Sequence, residues 1–374
     1  MLLSVELSII LLLTYIFITL NIFNIITINQ LTMRKIAFAA CLLLGVACHN
    51  TSNNNNAANL SPNKGSHLRK VEIFDPSALS IIDSNVRIEL LDSGHKWTEG
   101  PVYIKDGNYL LFSDIPNNSI YKWKEGSGVS LYLKPSGNTG NSKARREPGS
   151  NGLLLNAKGQ LVLCQHGDRR LALMDAPLNA PSPKFITLAD KYQGKRLNSP
   201  NDAVYTKNGD LYFTDPPYGL DKRLSDSAKQ LDFQGVYRLT PGGKLDLLLK
   251  DLKFPNGIAF SPDQKTLYVS NSDSLNMLWM KYDMDDKGFV KNGCVMYVAK
   301  QYNGTDAGNP DGMKVNKQGY IFAAGPEGIW IFNPAGKYIA RIYTGQKTAN
   351  CAFSPDEKTL FITSSSDLLR VKLK

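Results

Sequence analysis

Short apolar runs alternate with polar turns along most of the chain, and the same unit recurs six times. Each unit begins with a polar residue, continues as a short apolar strand, passes through a turn rich in Gly, Asp, Asn and Lys, and returns in a second strand. The stretch NSPNDAVYTKNGDLYFTDPPYG, at 198–219, is a clear copy. The residues that lead the six units are Glu99, Asn151, Asn201, Asn256, Asp311 and Asn350.

The spacing of the leading residues predicts the fold. They follow one another at intervals of about 40 to 55 residues, and a repeat of that length in all-strand sequence is typical of propeller blades. No segment between 68 and 374 carries a long apolar period of the helical kind. The pattern therefore predicts an all-β domain at 68–374, a six-bladed β-propeller with one unit in each blade.

The two ends of this domain predict how the ring closes. A strand, VRIELLD at 86–92, precedes the first unit, and the residues after Asn350 are too few to complete a four-stranded blade. We therefore expect an N-terminal strand to complete the last blade, which closes the ring and removes its free sheet edges.

The N-terminal part of the chain has the composition of a targeting segment. Residues 1–32 are almost continuously apolar and include about 20 residues that could span a bilayer. Basic residues after Met33, a short apolar run and small residues before Cys48 predict a signal peptide at 33–48, and its end, LLGVAC, resembles a bacterial lipobox. We interpret 1–32 as sequence upstream of a start at Met33; a membrane span in 1–32 is the alternative.

A polar segment rich in Asn follows, at 49–67. Such composition is typical of a tether between an anchor and a folded domain. Acylation of Cys48 would provide that anchor. We therefore expect an exported lipoprotein, held to a membrane through Cys48 and periplasmic or associated with the outer membrane of a bacterium.

The formal net charge of +10 changes little in this interpretation. The basic residues are scattered, and the sequence contains neither a basic helix interleaved with aromatic residues nor zinc-finger spacing. A nucleic-acid partner is therefore not expected, whereas an anionic small substrate or a membrane surface remains compatible with the charge.

The leading residues also predict a metal site. Inner strands of a propeller converge on one axis, so Glu99 and Asp311 would repel each other in a partly dry channel unless a cation joined them. No leading position is Lys or Arg. One divalent cation held by Glu99, Asn201, Asn256 and Asp311 would remove the repulsion. For any single Asn-Gly or Asp-Gly pair, an ordinary turn with positive φ is the alternative.

The predicted donors are all oxygen atoms, which favours Ca²⁺ over Mg²⁺ because Ca²⁺ tolerates an irregular cage. Zn²⁺ normally recruits His or Cys. Ca²⁺ is therefore the expected ion, with Mg²⁺, Mn²⁺ and Zn²⁺ as alternatives. Such an ion could polarise a carbonyl oxygen.

Several motifs, in order along the chain, resemble those of bacterial gluconolactonases, in the family that includes regucalcin. The motifs are EGPVY, CQHGDRRL, NSPND, FTDPPYG, PNGIAFSPD, PDGM and NCAFSPDEK, and the likeness covers nearly all of 90–370. The resemblance implies a six-bladed propeller with a central divalent metal that hydrolyses a sugar lactone. It places metal ligands on Glu99, Asn256 and Asp311, and it places Asn201 where the family binds the metal or the substrate.

Further roles follow from the predicted cavity and from this resemblance. Asp311 is the expected general base that activates water, and Glu99 is expected to stay a metal ligand. The expected substrate-binding residues are Asn151, His166, Arg169 and Tyr218. Two alternatives stay open: an esterase or phosphotriesterase that uses the same metal, and a tethered propeller that binds a ligand without catalysis.

Overall fold

The computed structural model describes residues 69–140 and 146–374, and in it the repeat units form the inner strands of six antiparallel sheets. The prediction of an all-β, six-bladed propeller is confirmed. Helical structure in these ranges is limited to short 3-10 turns at Pro76–Ser80, Arg223–Ser225 and Lys300–Tyr302. The signal peptide, the tether and the upstream segment predicted at 1–67 lie outside the described residues.

The first three blades each have four strands, which are named in order from the axis outward. Blade 1 contains Thr98–Ile104, Tyr109–Asp114, Ser119–Lys124 and Gly128–Leu133. Blade 2 contains Ser150–Leu155, Leu161–Gln165, Arg170–Met174 and Phe185–Ala189. A small ribbon of Lys191–Tyr192 and Lys195–Arg196 leads to blade 3. Blade 3 contains Ala203–Tyr205, Leu211–Asp215, Gly235–Leu239 and Leu245–Leu249.

The last three blades include the two places where the N-terminal part of the domain joins the ring. Blade 4 contains Pro255–Phe260, Thr266–Asn271, Leu278–Met284 and Val290–Val298. Blade 5 contains Met313–Val315, Ile321–Gly325, Gly328–Phe332, Tyr338–Tyr343 and Lys70–Ile73. Blade 6 contains Thr348–Phe353, Thr359–Ser364, Asp367–Lys372 and Ile88–Asp92.

Ring closure occurs in blade 6, as the sequence predicts. Strand Ile88–Asp92 pairs antiparallel with Asp367–Lys372, with Ile88 opposite Val371. An ion pair of 2.7 Å between Arg69 and Asp367 adds a second connection between the two ends of the domain. The fifth strand of blade 5, Lys70–Ile73, is an addition that the repeat did not predict.

The apolar core lies between neighbouring blades. Between blades 4 and 5, for example, Trp279 and Trp330 are fully buried with ring centroids 5.3 Å apart, and Phe332 packs against both. Burying one side chain of this size contributes roughly 1.5–3 kcal/mol. The sheets are therefore rigid, and the inner strands that they carry are held at fixed positions around the axis.

Among the described residues, no helix is long and apolar enough to cross a membrane.

Candidate metal centre and active site

A cavity of about 540 Å³ opens where the inner strands begin. It is lined by residues from strands of blades 1, 2, 4 and 6 and from the loops that lead into and out of the blades. Six of the eight residues predicted for the site line this one cavity: Glu99, Asn151, Asn201, Tyr218, Asn256 and Asp311. The structure thus places together side chains that are separated by as many as 212 positions along the chain, the distance from Glu99 to Asp311.

The glycine after several leading residues explains how the inner strands come so close together. A Cβ atom on Gly257 would lie 2.2 Å from the carbonyl oxygen of Asp311, and one on Gly100 would lie 2.0 Å from the carbonyl oxygen of Asn151. Gly257 does not have a positive φ, so a turn is not the reason for glycine in PNG. Its absent side chain lets the next blade approach, and that approach sets the position of Asp311.

The amide of Asn256 is oriented by its neighbours. The Ser272 hydroxyl donates to the carbonyl oxygen of Pro310, so Ser272 Oγ is left to accept a hydrogen bond from Asn256 Nδ2 at 3.0 Å. Asn256 Oδ1 is buried and has no hydrogen-bond donor in the described part of the chain. This oxygen is therefore available to a ligand of the cavity.

Two of the carboxylates that line the cavity, those of Glu99 and Asp311, lie in a poorly solvated environment. Glu99 Oε2 accepts hydrogen bonds from the Gly100 amide at 2.7 Å and from Asn350 Nδ2 at 3.1 Å. Burial, with a contribution from the charge of Asp202, raises the pKa of Glu99 to about 7. Burial and the charges of Glu99 and Asp202 raise the pKa of Asp311 well above its usual range. Within 69–140 and 146–374, neither Glu99 nor Asp311 has a basic ion-pair partner.

These residues fit a hard cation. Asn151 Oδ1, Asn256 Oδ1 and Asp311 Oδ1 are buried oxygen atoms without a hydrogen-bond donor, and all three belong to residues of the same cavity. A buried acceptor without a partner is unfavourable, and a cation would satisfy several such acceptors at once. The described residues contain no group of three or more His, Cys, Asp or Glu that could hold a metal, so the candidate donor set is two carboxylates with amide oxygens.

A second polar layer lies beside the carboxylates of the cavity. Asn350 Nδ2 also approaches Asp202 Oδ2 at 3.4 Å, and Lys314 Nζ lies 3.7 Å from that same oxygen. Asn350 accepts from Lys314 at 3.4 Å through its Oδ1. Asn350, the sixth leading residue, therefore links Glu99 to the Asp202–Lys314 pair rather than lining the cavity itself.

Two predicted substrate contacts do not line the cavity. Arg169 is buried and donates through Nε to the carbonyl oxygens of Leu197 and Asn198, and through Nη1 to that of Ala228. These bonds hold the chain before blade 3, so the position of Arg169 favours a structural role over substrate contact.

His166 is the second of these residues. It is fully buried, and its Nδ1 lies 3.0 Å from Oε2 of Glu147. Glu147 does line the cavity, although no motif in the sequence singles it out. The polar group that reaches the cavity at this point is therefore the carboxylate of Glu147, with His166 behind it.

Tyr218 forms part of the wall of the cavity. Its ring stacks on Phe254 at a centroid distance of 5.7 Å, and the guanidinium of Arg223 lies 5.2 Å from its ring centre. Burial and the charge of Asp311 raise the pKa of Tyr218, so its hydroxyl stays protonated at neutral pH. It can therefore donate a hydrogen bond inside the cavity.

Asp215 provides a contrast with the acids of the cavity. It ends the second strand of blade 3 and is fully buried, and burial raises its pKa to about 7. Its two oxygens accept from the amides of Asn198 and Ser199, each at 2.7 Å. Asp215 does not line the cavity, so it is a buried acid whose partners are main-chain amides of the segment that leads into its blade.

Fold and site together define the class of protein: a six-bladed propeller whose axial cavity is lined by carboxylate and amide oxygens. The family described as "SMP-30/Gluconolactonase/LRE-like region" matches residues 97–366. The chain belongs to this family, and it is a hydrolase of the gluconolactonase type.

Proteins similar in sequence or structure match this chain over nearly all of the propeller domain. The chain is 38% identical to a gluconolactonase of Zymomonas mobilis, over 93% of this chain and 99% of that protein. The structure of a gluconolactonase from Xanthomonas campestris matches with a TM-score of 0.70 and 28% identity, over 82% of this chain and 95% of that one. A calcium-binding regucalcin from Agrobacterium tumefaciens shares the fold, with a TM-score of 0.60 and 19% identity over 77% and 95% of the two chains.

Proposed function

We propose that the protein hydrolyses a sugar lactone to the aldonic acid with the help of one divalent cation, most simply Ca²⁺. The main support for a metal ion is the set of three buried oxygen atoms of Asn151, Asn256 and Asp311 that have no hydrogen-bond donor in the described ranges. In addition, the carboxylates of Glu99 and Asp311 have no basic partner among the described residues. The substrate class follows from the named gluconolactonases with which the chain shares its fold and much of its sequence.

The six predicted site residues that line the cavity each have a role in this proposal. Glu99, Asn256 and Asp311 would hold the cation, with Asn201 as a fourth donor or a contact to substrate. When bound, the ion would polarise the lactone carbonyl as a Lewis acid. Asp311, whose Oδ1 is buried and free of hydrogen bonds to the described residues, would accept the proton of the attacking water. Tyr218 and Asn151 would position the substrate from the walls.

A substrate panel tests the proposal. Purified protein with Ca²⁺ is assayed against D-glucono-1,5-lactone, a simple aryl ester and a phosphotriester. We expect kcat/KM to be largest for the lactone. An enzyme that prefers the phosphotriester or the ester would move the assignment to the alternative hydrolases, and a protein that hydrolyses none of them would favour a binding module.

The affinity for the cation should depend on pH. Glu99, with a pKa of about 7, and Asp311, with a pKa well above its usual range, must lose protons before they bind a metal. Binding is therefore weaker at pH 6 than at pH 8. Calorimetry with Ca²⁺ at both pH values should show this difference together with proton release. Equal affinity at both would indicate that neither carboxylate is a ligand.

We further propose that the protein is a lipoprotein anchored through Cys48, in the bacterial envelope. The lipobox-like end of the segment at 33–48 supports this proposal. Cys48→Ser should move the protein from the membrane fraction to the soluble fraction, since the acylation site is lost. Fractionation followed by immunoblotting measures the shift. Retention of the Ser variant in membranes would favour an anchor within 1–32.

A further inference from the structure

The carboxylate of Glu147 is built into the wall of the cavity. The backbone amide of Gly149 donates to the carbonyl oxygen of Ile115 at 2.9 Å, and the His166 amide donates to the carbonyl oxygen of Gly149 at 3.1 Å. A Cβ atom on Gly137 would lie 2.1 Å from the carbonyl carbon of Gly149, so the chain is also enclosed from that side. Glu147 therefore lies two residues before a backbone position that is held by contacts with Ile115, Gly137 and His166.

One oxygen of Glu147 is occupied and the other is free. Oε2 is held by Nδ1 of His166 at 3.0 Å, whereas Oε1 has no hydrogen-bond donor in the described ranges. The side chain is 21% exposed, and Glu147 lines the cavity. Apart from His166, no basic side chain of the described chain lies within ion-pair distance of it. Glu147 thus brings a carboxylate oxygen that has no donor among the described residues to the lining of the cavity.

The His166 ring makes no other polar contact with the described residues. Its ring is fully buried, and its Nε2 has no partner in the described part of the chain, so its polar contact is the one through Nδ1. A Cβ atom on Gly219 would lie 2.9 Å from the Cβ of His166, which shows how closely the turn after blade 3's second strand packs on it. The histidine is therefore a support that fixes the rotamer of Glu147.

We propose that Glu147 is a specificity-determining residue that accepts hydrogen bonds from ring hydroxyls of the substrate, and that His166 positions it. This inference rests on the proposed lactonase function and adds the feature of the substrate that the enzyme recognises: a polyhydroxylated ring, as opposed to a plain lactone. Hydroxyl donors suit a carboxylate acceptor, since such charge-assisted bonds are stronger than neutral ones.

The test compares D-glucono-1,5-lactone with δ-valerolactone, which has the same ring without hydroxyls. Glu147→Gln should lower kcat/KM for gluconolactone by roughly 10-fold, mainly through KM, and should change that for δ-valerolactone by less than about 3-fold. Asp306→Asn is the matched control, because Asp306 lines the same cavity but is exposed and already paired with Lys347. Asp306→Asn should leave the ratio of kcat/KM for gluconolactone to kcat/KM for δ-valerolactone unchanged.

The role of His166 is tested by the same ratio. His166→Asn, which can keep a donor near the place of Nδ1, should retain the preference for gluconolactone, and His166→Leu should lose it. In the Glu147→Gln background, His166→Leu should reduce the ratio no further. A loss that is equal for both lactones, or a ratio that Glu147→Gln leaves unchanged, overturns the proposal; melting temperatures identify variants that are merely unstable.

A binding experiment separates this inference from the proposed activity. The probe is 1,5-anhydro-D-glucitol, a ring with the hydroxyls but without the carbonyl, titrated calorimetrically into the wild type and Glu147→Gln. Binding roughly 10-fold weaker in the variant supports the role of Glu147 even if the wild type hydrolyses no lactone. Equal binding overturns that role while leaving lactone hydrolysis intact, and a wild type that neither binds the polyol nor hydrolyses gluconolactone overturns both.

Discussion

Asp311→Asn is expected to lower kcat/KM for a sugar lactone by about 10³-fold. The change removes one of the two carboxylates proposed as ligands, and with it both the proposed base and part of the charge that would hold the cation. The asparagine is nearly the same size, so the cavity should keep its shape. Steady-state kinetics at saturating Ca²⁺, with the melting temperature measured in parallel, gives the two effects separately.

Asp215→Asn is the control for that experiment. Asp215 is also a buried acid with a raised pKa, but it bonds main-chain amides and does not line the cavity. Its amide variant should unfold more easily, by roughly 1–3 kcal/mol, because an NH₂ group would then face amide donors. Its kcat/KM should stay within about 3-fold of the wild type. Similar losses of turnover in both variants would mean that Asp311 acts through stability.

Removal of the cation is expected to abolish lactone hydrolysis and to lower the melting temperature. An ion that binds only the folded state stabilises it by about 2.7 kcal/mol when its free concentration is 100 times its Kd. Dialysis against chelator, followed by return of Ca²⁺, Mg²⁺, Mn²⁺ or Zn²⁺ one at a time, measures both properties and identifies the ion that restores them. Activity and melting temperature that are indifferent to chelator would refute the metal centre.

In the same experiment, the melting temperatures of Asp311→Asn and the wild type should change order between chelator and Ca²⁺. Without an ion, the negative charge of Glu99 adds to desolvation in raising the pKa of Asp311, so the ionised forms of the two acids repel each other. The asparagine variant lacks this repulsion, so in chelator it should melt at or above the wild-type temperature. With Ca²⁺ it should melt lower, because it gains less from the ion. A variant that is less stable under both conditions would show that Asp311 serves mainly to hold the fold.

The repeat pattern predicted the fold well because each blade is encoded locally. A polar leading residue, an apolar strand and a turn recur within one unit, and the converging inner strands then place Glu99, Asn256 and Asp311 in one cavity. Ring closure was also predictable, since residues 351–374 leave blade 6 short of a strand. The added strand Lys70–Ile73 was not, because four residues at a sheet edge carry no repeat of their own.

The site was less predictable where contacts depend on long loops. Glu147 precedes the second unit in a loop rich in Gly and Pro, and nothing in that loop indicates that it meets His166. His166 directly follows a blade strand, yet it does not line the cavity, and its polar contact there is with Glu147. The spacing also treated all leading residues alike, whereas packing placed Asn350 outside the cavity lining, between Glu99 and Asp202.

The fifth strand of blade 5 has a mechanical consequence. Force applied to the chain before Arg69 reaches the Arg69–Asp367 ion pair and strand Lys70–Ile73 first. Because that strand lies at the edge of its sheet, it can detach from Tyr338–Tyr343 without breaking the pairing between the other strands of blade 5. The ring-closing strand Ile88–Asp92 lies further along the chain and would bear load only afterwards. A pull on the N-terminal side would therefore release the outer strand Lys70–Ile73 first. The ring would stay closed around its cavity until the load reached Ile88–Asp92.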